Sequence, residues 1–448
     1  MGRLFGTDGV RGLANAELTC KLAFELGQAG AYVLTMAKHK PRILIGRDTR
    51  ISGDMLEAAL IAGICSVGAE AIVAGVIPTP AVAYLTRHYG VDAGVVISAS
   101  HNTMEYNGIK FFDNRGHKLP DELEDRIESI LLNGTESMPA PTGFEVGRRV
   151  RIRNAVRDYI SFLQGTLDTD LKGLKIVLDC ANGASYEAAP MVFGTLGAEV
   201  ITTYHTPDGT NINDYCGSTH PEKLQSLVLE TGADVGLAFD GDADRLIAVS
   251  EHGNLVDGDQ IMLICGLDMK ERGLLKQNTI VGTVMSNLGL ENALNKAGCR
   301  LEKTKVGDRY VLERMLEQGY NFGGEQSGHV IFLDYNTTGD GILTALQLLG
   351  AMKRSNKPLS SLASAMRKYP QVLVNARVQE QKKHNYQDDE VIQQEIRSIE
   401  ERFQQEGRVL IRTSGTESVV RVMIEGADQR EIEEEAVRLA KLIEQRLN

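Results

Sequence analysis

Three stretches of the chain repeat one pattern of apolar and polar positions: a short apolar strand, a polar or glycine turn, a helix, a glycine and a second apolar strand. The paired strands are predicted at 43–45 and 71–73, at 175–178 and 200–202, and at 279–281 and near 301. In the first stretch, one face of a helix from about Ser52 carries four apolar side chains, Leu56, Leu60, Ile64 and Val67. Strand separations of roughly 20–30 residues fit right-handed crossovers between parallel strands. The pattern predicts three α/β domains, and one large α/β sheet is the alternative.

The last part of the chain has a different pattern. Residues 408–412 and 419–424 are predicted to be strands, joined by a loop at 413–417 and followed by a charged amphipathic helix from about 429 to 447. Two strands and a helix predict a small α+β domain. A polar segment at 379–389 is predicted to join this domain to the preceding region, so that the domain can move as a unit.

Composition restricts the classes of partner. The 448 residues carry a net charge of −12, which argues against nucleic acid because a phosphate-backbone binder needs a broad basic face. Aromatic residues are 5% of the chain and Trp is absent, which argues against a stacked-ring carbohydrate platform. The six cysteines form no Cys-x-x-Cys pair, and no signal peptide or membrane-length apolar run is present. We therefore expect a cytoplasmic protein with reduced thiols and no membrane association.

The first candidate site is the segment Val95 to Asn102, in which an apolar strand runs into small polar residues. Ligands collect at the carboxyl ends of parallel strands, so Ser100 is a candidate catalytic residue, with His101 beside it. Lys110, ten residues further on, is a candidate general acid or base. Two alternatives for Ser100 are a helix N-cap and a Ser-His hydrolase, although the Gly-x-Ser-x-Gly elbow is missing.

The second candidate site follows the predicted strand 235–239 and reads Asp-Gly-Asp-Ala-Asp-Arg at 240–245. Three carboxylates alternating along an extended backbone can converge on one cation, and oxygen ligands without His or Cys indicate Mg²⁺ or Ca²⁺. Asp240, Asp242 and Asp244 are thus candidate metal ligands. An EF-hand is an alternative, but Arg245 occupies the position that needs Gly, and a strand precedes the loop. A solvated acidic turn is the remaining alternative.

Two further loops are candidates for substrate binding. The glycine-flanked run at 323–329 offers three polar side chains that suit sugar hydroxyls, those of Glu325, Ser327 and His329. The alternative interpretation of this run is a polar turn without a binding role. The loop after the strand at 408–412 and its flanking residues present hydroxyls, backbone N–H groups and guanidinium groups that suit a small anion. The candidate residues are Arg412, Ser414, Gly415, Thr416 and Arg421. The alternative interpretation is an ordinary hairpin loop.

Taken in order, these motifs resemble those of the α-D-phosphohexomutase family over essentially the whole chain. The opening Phe-Gly-Thr-Asp-Gly-Val-Arg-Gly at 5–12 and Gln326 are typical of the bacterial branch that acts on glucosamine phosphates. The resemblance implies four domains around a central cleft: three related α/β domains with mixed sheets at 1–155, 156–255 and 256–370, and a smaller α+β domain at 371–448. It also implies interconversion of glucosamine 6-phosphate and glucosamine 1-phosphate, which feeds UDP-N-acetylglucosamine and cell-wall precursor synthesis.

The resemblance assigns roles to the candidate residues. Ser100 would carry the phosphoryl group, and it would join the three aspartates in holding one Mg²⁺ per subunit. Arg11 and Lys110 would flank the transferring group, and Arg245 would lie beside the metal loop and contact substrate. The 325–329 loop would bind sugar hydroxyls, and the 412–416 loop with Arg421 would bind the phosphate that is not transferred. A sugar bisphosphate would serve as intermediate and activator.

The sequence departs from the family pattern twice, with Thr103 and Ser418 where Pro is usual. Neither change removes a reacting group, but each removes a constraint on its loop. The expected partner is a small sugar phosphate, and a homodimer is left open. Mannose or glucose phosphate mutases are the nearer functional alternative. A non-catalytic protein that binds calcium or a sugar phosphate is the more distant one.

Overall fold

The computed structural model describes every residue except 1–3, 7, 36–39, 135–137, 405 and 415–417. The chain folds as two units, one of residues 1–283 and 304–364 and one of residues 284–303 and 365–448. Residues 284–303 belong to the second unit although they fall inside the predicted third domain. The predicted domain boundaries stay predictions.

A six-stranded sheet in the first unit carries the strand before Ser100. Its strands, in spatial order, are β1 (Val10–Leu13), β5 (Tyr106–Asp113), β4 (Ala93–Ile97), β2 (Arg42–Arg47), β3 (Glu70–Val76) and β6 (Arg149–Arg151). β2 pairs in parallel with β3 and β4, as the crossover pattern predicts, whereas β5 is antiparallel to both β4 and β1. The helices of this part are α1 (Cys20–Thr35), α2 (Gly53–Ser66), α3 (Thr79–His88) and α4 (Asp121–Asn133). Leu56, Leu60 and Ile64 on α2 are fully buried in its core.

A second sheet carries the acidic loop at 240–244. Its order is β11 (Leu255–Val256), β10 (Leu246–Ser250), β9 (Val235–Phe239), β7 (Lys175–Asp179) and β8 (Glu199–Thr203), with α5 (Ala155–Gln164), α6 (Ser185–Thr195) and α7 (Glu222–Thr231). β7 pairs in parallel with β8 and β9, which confirms the second predicted crossover. β10 is antiparallel to β9, so the acidic loop connects a tight pair of neighbouring strands.

The remainder of the first unit is built on three further strands. β12 (Thr279–Thr283) is parallel to β14 (Phe322–Gly324), and β14 is antiparallel to β15 (Val330–Phe332). The helices here are α8 (Gly258–Glu271), α10 (Asp308–Gln318), α11 (Gly341–Ser355) and α12 (Leu359–Ala363). The hairpin between β14 and β15 holds the predicted sugar-binding loop.

The second unit contains an antiparallel sheet in the order β16 (Gln371–Arg377), β18 (Val419–Gly426), β17 (Gly407–Thr413). Its other elements are α9 (Leu288–Lys296), β13 (Arg300–Thr304), α13 (Glu390–Phe403) and α14 (Gln429–Leu447). The sheet therefore has one more strand than predicted. The polar segment 379–389 lies after β16 rather than before the domain, and its Tyr386 is buried against the sheet core, so the prediction of a linker there is wrong.

Candidate active site

Ser100 lies at the carboxyl end of β4 in an unusual backbone conformation. Its φ is +53°, in the left-handed region, and the residue is 1% exposed. The hydroxyl Oγ donates to Asp240 Oδ2 at 2.7 Å. Ser100 does not cap a helix, because the chain passes through a turn directly into β5. The structure thus brings the serine of the first motif to a carboxylate of the second, across 140 residues of sequence.

The acidic loop gathers its three carboxylates without being extended. It turns sharply between antiparallel β9 and β10, and Ala243 within it has a φ of +59°. The prediction of an extended backbone is therefore wrong, but the predicted convergence is present, since ligand oxygens of Asp240, Asp242 and Asp244 lie within 4.8 Å of one another. Strands on both sides of the loop exclude an EF-hand.

The buried carboxylates of this loop form a candidate cation-binding site. Burial raises the pKa of Asp240, and the nearby carboxylates of Asp244 and Asp242 raise it further. Burial, followed by Asp242, also raises the pKa of Asp244. Among the described residues, no hydrogen-bond partner reaches Asp242 Oδ1 or Asp244 Oδ1, although both atoms are buried. Carboxylate oxygens without a hydrogen-bond partner that converge with a serine hydroxyl form a donor set that fits a hard divalent ion such as Mg²⁺.

Asp242 is held from two sides by groups outside the acidic loop. Thr79 at the start of α3 donates its hydroxyl to Asp242 Oδ2 at 2.7 Å and its backbone N–H to the carbonyl of Asp242 at 3.0 Å. Lys110 on β5 donates to the same Oδ2 at 3.1 Å. Burial opposes ionisation, but the charge of Lys110 and the Thr79 hydrogen bond bring the pKa of Asp242 below its ordinary value.

Asp8 forms ion pairs with three basic side chains near the acidic loop, a role that was not predicted from the sequence. Its Oδ2 lies 2.9 Å from Lys110 Nζ and is ion-paired with Arg11, and its Oδ1 lies 2.8 Å from Lys118 Nζ. Although burial opposes its charge, Asp242 and Asp8 together raise the pKa of Lys110, so this lysine is firmly cationic. Asp8 stands inside the opening motif at 5–12, and that motif was the only signal that could have drawn attention to it.

Successive side-chain contacts link Lys118, through Asp308 and His329, back to the acidic loop. Lys118 also pairs with Asp308 at the start of α10, and Asp308 Oδ2 lies 3.5 Å from His329 Nε2. The same His329 nitrogen lies 3.7 Å from Asp244 Oδ2. His329, a predicted substrate contact, is 2% exposed and lies against the acidic loop. Lys118 and Asp308 were not predicted.

The other first-unit candidates lie at the rim of the same site. Arg245 forms a backbone bridge with His329, and its N–H donates to Asp240 Oδ1 at 3.2 Å. Glu325 Oε1 accepts the N–H of Gly307 at 3.0 Å, whereas Ser327 is exposed. His101 Nδ1 lies 3.4 Å from Ser100 Oγ. Burial, followed by the charges of Arg245 and Arg11, lowers the pKa of His101 to about 4, so its imidazole is neutral at pH 7.

The anion-binding candidates of the second unit lie on its own sheet. Arg412 on β17 pairs in register with Arg421 on β18, so two guanidinium groups stand on neighbouring strands. Burial and the charge of Arg421 lower the pKa of Arg412. Ser414 is 5% exposed and donates its N–H to Val419 O at 3.0 Å. Gly415 and Thr416, also predicted here, lie outside the described residues. Adjacent arginines repel each other unless an anion lies between them, which is consistent with a phosphate site.

The chain matches four family descriptions in sequence order. They are Phosphoglucomutase/phosphomannomutase alpha/beta/alpha domain I at 2–138, domain II at 157–253, domain III at 257–369 and the C-terminal domain at 373–442. The chain therefore belongs to the phosphoglucomutase/phosphomannomutase family, which is the predicted family. The fold class of three α/β domains and a smaller C-terminal domain is confirmed.

Full-length relatives narrow the comparison to one kind of enzyme. The chain is 62% identical over 448 residues to the phosphoglucosamine mutase of Acetivibrio thermocellus and 63% identical over 448 residues to that of Caldanaerobacter subterraneus subsp. tengcongensis. Each match covers 100% of both chains.

Solved structures agree in fold. A phosphoglucomutase/phosphomannomutase family protein from Burkholderia thailandensis superposes with a TM-score of 0.82 at 24% identity and covers 98% of each chain. The Aspergillus fumigatus N-acetylphosphoglucosamine mutase, solved with GlcNAc-6P and magnesium, gives a TM-score of 0.70 at 17% identity, covering 99% of this chain and 96% of that one.

In the described part of this chain, no helix is both long and apolar enough to cross a membrane.

Proposed function

We propose that this chain is an isomerase that interconverts glucosamine 6-phosphate and glucosamine 1-phosphate through a phosphorylated Ser100 and a glucosamine bisphosphate. The activity is that of the phosphoglucosamine mutases to which the chain is about 62% identical over its full length. The observation that carries the chemistry is the 2.7 Å hydrogen bond from Ser100 Oγ to Asp240 Oδ2. It supports a nucleophilic hydroxyl at the edge of a cation-binding carboxylate cluster.

The metal-holding groups would be Ser100, Asp240, Asp242 and Asp244. A bound Mg²⁺ would supply charge neutralisation for the phosphoryl group and would fix its orientation. A phosphoryl oxygen on Ser100 would add a further hard oxygen donor to this set. We propose one such ion per subunit.

The remaining side chains would position the groups that react. Lys110, held between Asp242 and Asp8, presents a cation to the acidic loop, and it would stabilise charge on the transferring phosphoryl group. Its raised pKa does not suit the role of general base. Arg11 would flank the same group. In the first transfer of a turnover, the P–O bond to Ser100 breaks as the sugar oxygen bonds to phosphorus, which gives the bisphosphate. In the second transfer, the other phosphate of the bisphosphate bonds to Ser100 as its bond to the sugar breaks.

Substrate binding would divide between two kinds of group. Glu325, Ser327, Arg245 and His329 would orient the sugar, and Arg412, Ser414 and Arg421 would bind a phosphate by charge-assisted hydrogen bonds. A group that holds either phosphate of the bisphosphate must read the phosphate rather than one sugar carbon. A pair of arginines on neighbouring strands meets that requirement.

We expect the purified chain to turn over glucosamine 6-phosphate when Mg²⁺ and a trace of glucosamine 1,6-bisphosphate are present. The value of kcat/KM should exceed those for glucose 6-phosphate and mannose 6-phosphate by at least about tenfold, a difference of about 1.4 kcal/mol. ³¹P NMR measures the product directly. A higher kcat/KM for glucose or mannose phosphate would transfer the assignment to that mutase, and binding without any turnover would favour the non-catalytic alternative.

We expect Gly241→Ala to lower kcat by more than about tenfold because the serine loop and the acidic loop meet at this residue. An added Cβ would lie 2.6 Å from the carbonyl O of Ser100 and 2.7 Å from Asn213 Nδ2, so one loop must move away. Overpacking of this kind costs about 1–3 kcal/mol. The matched control is Gly194→Ala in α6, where an added Cβ meets nothing within 4 Å. Kinetics and thermal unfolding of both variants test this expectation, and an unchanged kcat in Gly241→Ala would contradict it.

A further inference from the structure

The backbone around Ser100 is held from inside the protein by a fully buried arginine, Arg50. Its Nη2 donates to the carbonyl oxygens of Ser100 at 3.0 Å and Asn102 at 2.7 Å. Its Nη1 donates to the carbonyl of Thr103 and, at 3.1 Å, to that of Tyr106. One guanidinium group therefore gathers four carbonyl oxygens of the loop 100–106. The planar, five-donor fork of arginine can do this, whereas the single ammonium group of lysine cannot.

Asp48 orients this arginine and links it to the N–H side of Ser100. Asp48 Oδ2 accepts Arg50 Nε at 2.8 Å and the hydroxyl of Ser98 at 2.6 Å. The Ser98 hydroxyl in turn accepts the backbone N–H of Ser100 at 3.0 Å. Asp48 and Ser98 are both 0% exposed, so water does not compete for these bonds. A single network therefore fixes both the N–H and the C=O of the reactive serine.

A second clamp comes from the part of the chain that carries the acidic loop. Asn213 Nδ2 donates to the carbonyls of Ser100 and Asn102, both at 2.8 Å. The Ser100 carbonyl thus receives one donor from Arg50 and another from Asn213. A non-glycine residue in the left-handed region is strained by roughly 1–3 kcal/mol and needs its surroundings to hold it there. The two clamps hold the peptide that follows Ser100 and so fix its ψ, while the bond from its N–H to Ser98 Oγ holds the preceding peptide and so restrains its φ.

We propose that Arg50 and Asn213 are positioning residues for phosphoryl transfer: they hold the strained backbone of Ser100 so that its Oγ points at Asp240. This inference rests on the proposed function. Arg50 donates to backbone carbonyls, and Asn213 does the same, so both act through the loop.

The first test compares Arg50→Lys with Arg148→Lys, a matched change at an arginine whose side chain is 77% exposed and paired with Glu70. A displacement of the reacting atom by about 1 Å can cost about a hundredfold in rate. We therefore expect kcat of Arg50→Lys to fall about ten- to hundredfold while KM stays within about twofold, because the binding groups are untouched. The single-turnover rate of Ser100 phosphorylation by glucosamine 1,6-bisphosphate should fall by the same factor as kcat. Arg148→Lys should match the wild type.

The second test uses Asn213→Ala, which leaves the buried charge pair of Arg50 and Asp48 intact and so remains informative where Arg50→Lys does not fold. We expect its kcat to be at least about fivefold lower at unchanged KM, because the variant loses both hydrogen bonds from Asn213 and a typical single one contributes a factor of about five. A folded variant of either residue with wild-type kcat, or one that raises KM alone, overturns the inference. A wild-type chain without mutase turnover would instead reject the proposed function, so the two failures are distinguishable.

Discussion

Ser100→Ala is expected to abolish mutase turnover, with a loss of more than about a thousandfold, because it removes the hydroxyl that accepts and returns the phosphoryl group in the proposed mechanism. The change removes one hydroxyl and its hydrogen bond to Asp240. The loop itself should keep its conformation, since Arg50 and Asn213 bind its carbonyl oxygens rather than the side chain. Intact mass after incubation with glucosamine 1,6-bisphosphate should show a phosphate adduct on the wild type and none on the variant.

The control for this experiment is Ser361→Ala, at an exposed serine of α12. It should retain both the adduct and the activity. Circular dichroism and thermal unfolding should show that Ser100→Ala is folded. Near-normal turnover in a folded Ser100→Ala variant, or an adduct on another residue, would refute the covalent scheme.

Asp244→Asn is expected to separate stability from activity. Burial, followed by the charge of Asp242, raises the pKa of Asp244, so the ionised carboxylate is destabilised in the folded protein. A raised carboxyl pKa in the folded state means that the folded protein loses stability as pH rises through that pKa. The neutral, nearly isosteric Asn removes that penalty, so the metal-free variant should unfold at an equal or higher temperature than the metal-free wild type. Activity should fall on the order of a hundredfold, because one carboxylate of the cation site becomes neutral.

Magnesium titration provides the second readout for Asp244→Asn. An ion that binds only the folded state stabilises it by about 2.7 kcal/mol at a hundred times its Kd. The wild type should therefore gain thermal stability with added MgCl₂, and the variant should gain much less. Asp170→Asn, at a carboxylate that is 52% exposed, is the matched control and should respond as the wild type does. An equal response of wild type and Asp244→Asn to magnesium would contradict the assignment of Asp244 as a ligand.

The parts of the fold that follow from local patterns were predictable. The first two crossovers were placed correctly because buried strands and one-sided helices such as α2 have distinct periods. The bounds of α14 were also predicted, since its capping Asp428 and apolar stripe are local signals. β16 was missed because its apolar run, Val372 to Val374, is short and shows no alternation with polar residues.

The site was predictable only as far as single motifs carry chemistry. Ser100 and the three aspartates stand out in sequence, and the structure brings them together. The extended acidic loop was predicted wrongly because alternating carboxylates look the same in a strand and in a hairpin turn, and Ala243 gives no sign of its positive φ. Asp8 and Asp308 lie 300 positions apart in the sequence, and both pair with Lys118. Such long-range pairing is a property of tertiary structure.

The two clamps on Ser100 also bear on how a newly made chain becomes competent. Ser100 leaves the ribosome more than 110 residues ahead of Asn213, and 140 ahead of Asp240. During synthesis, chains tend to fold from the N-terminus in units. Arg50 and Asp48 are available early, but the second donor to the Ser100 carbonyl and the carboxylate that its hydroxyl faces are not. We therefore expect the serine of a nascent chain to acquire this setting only after residue 240 has been synthesised.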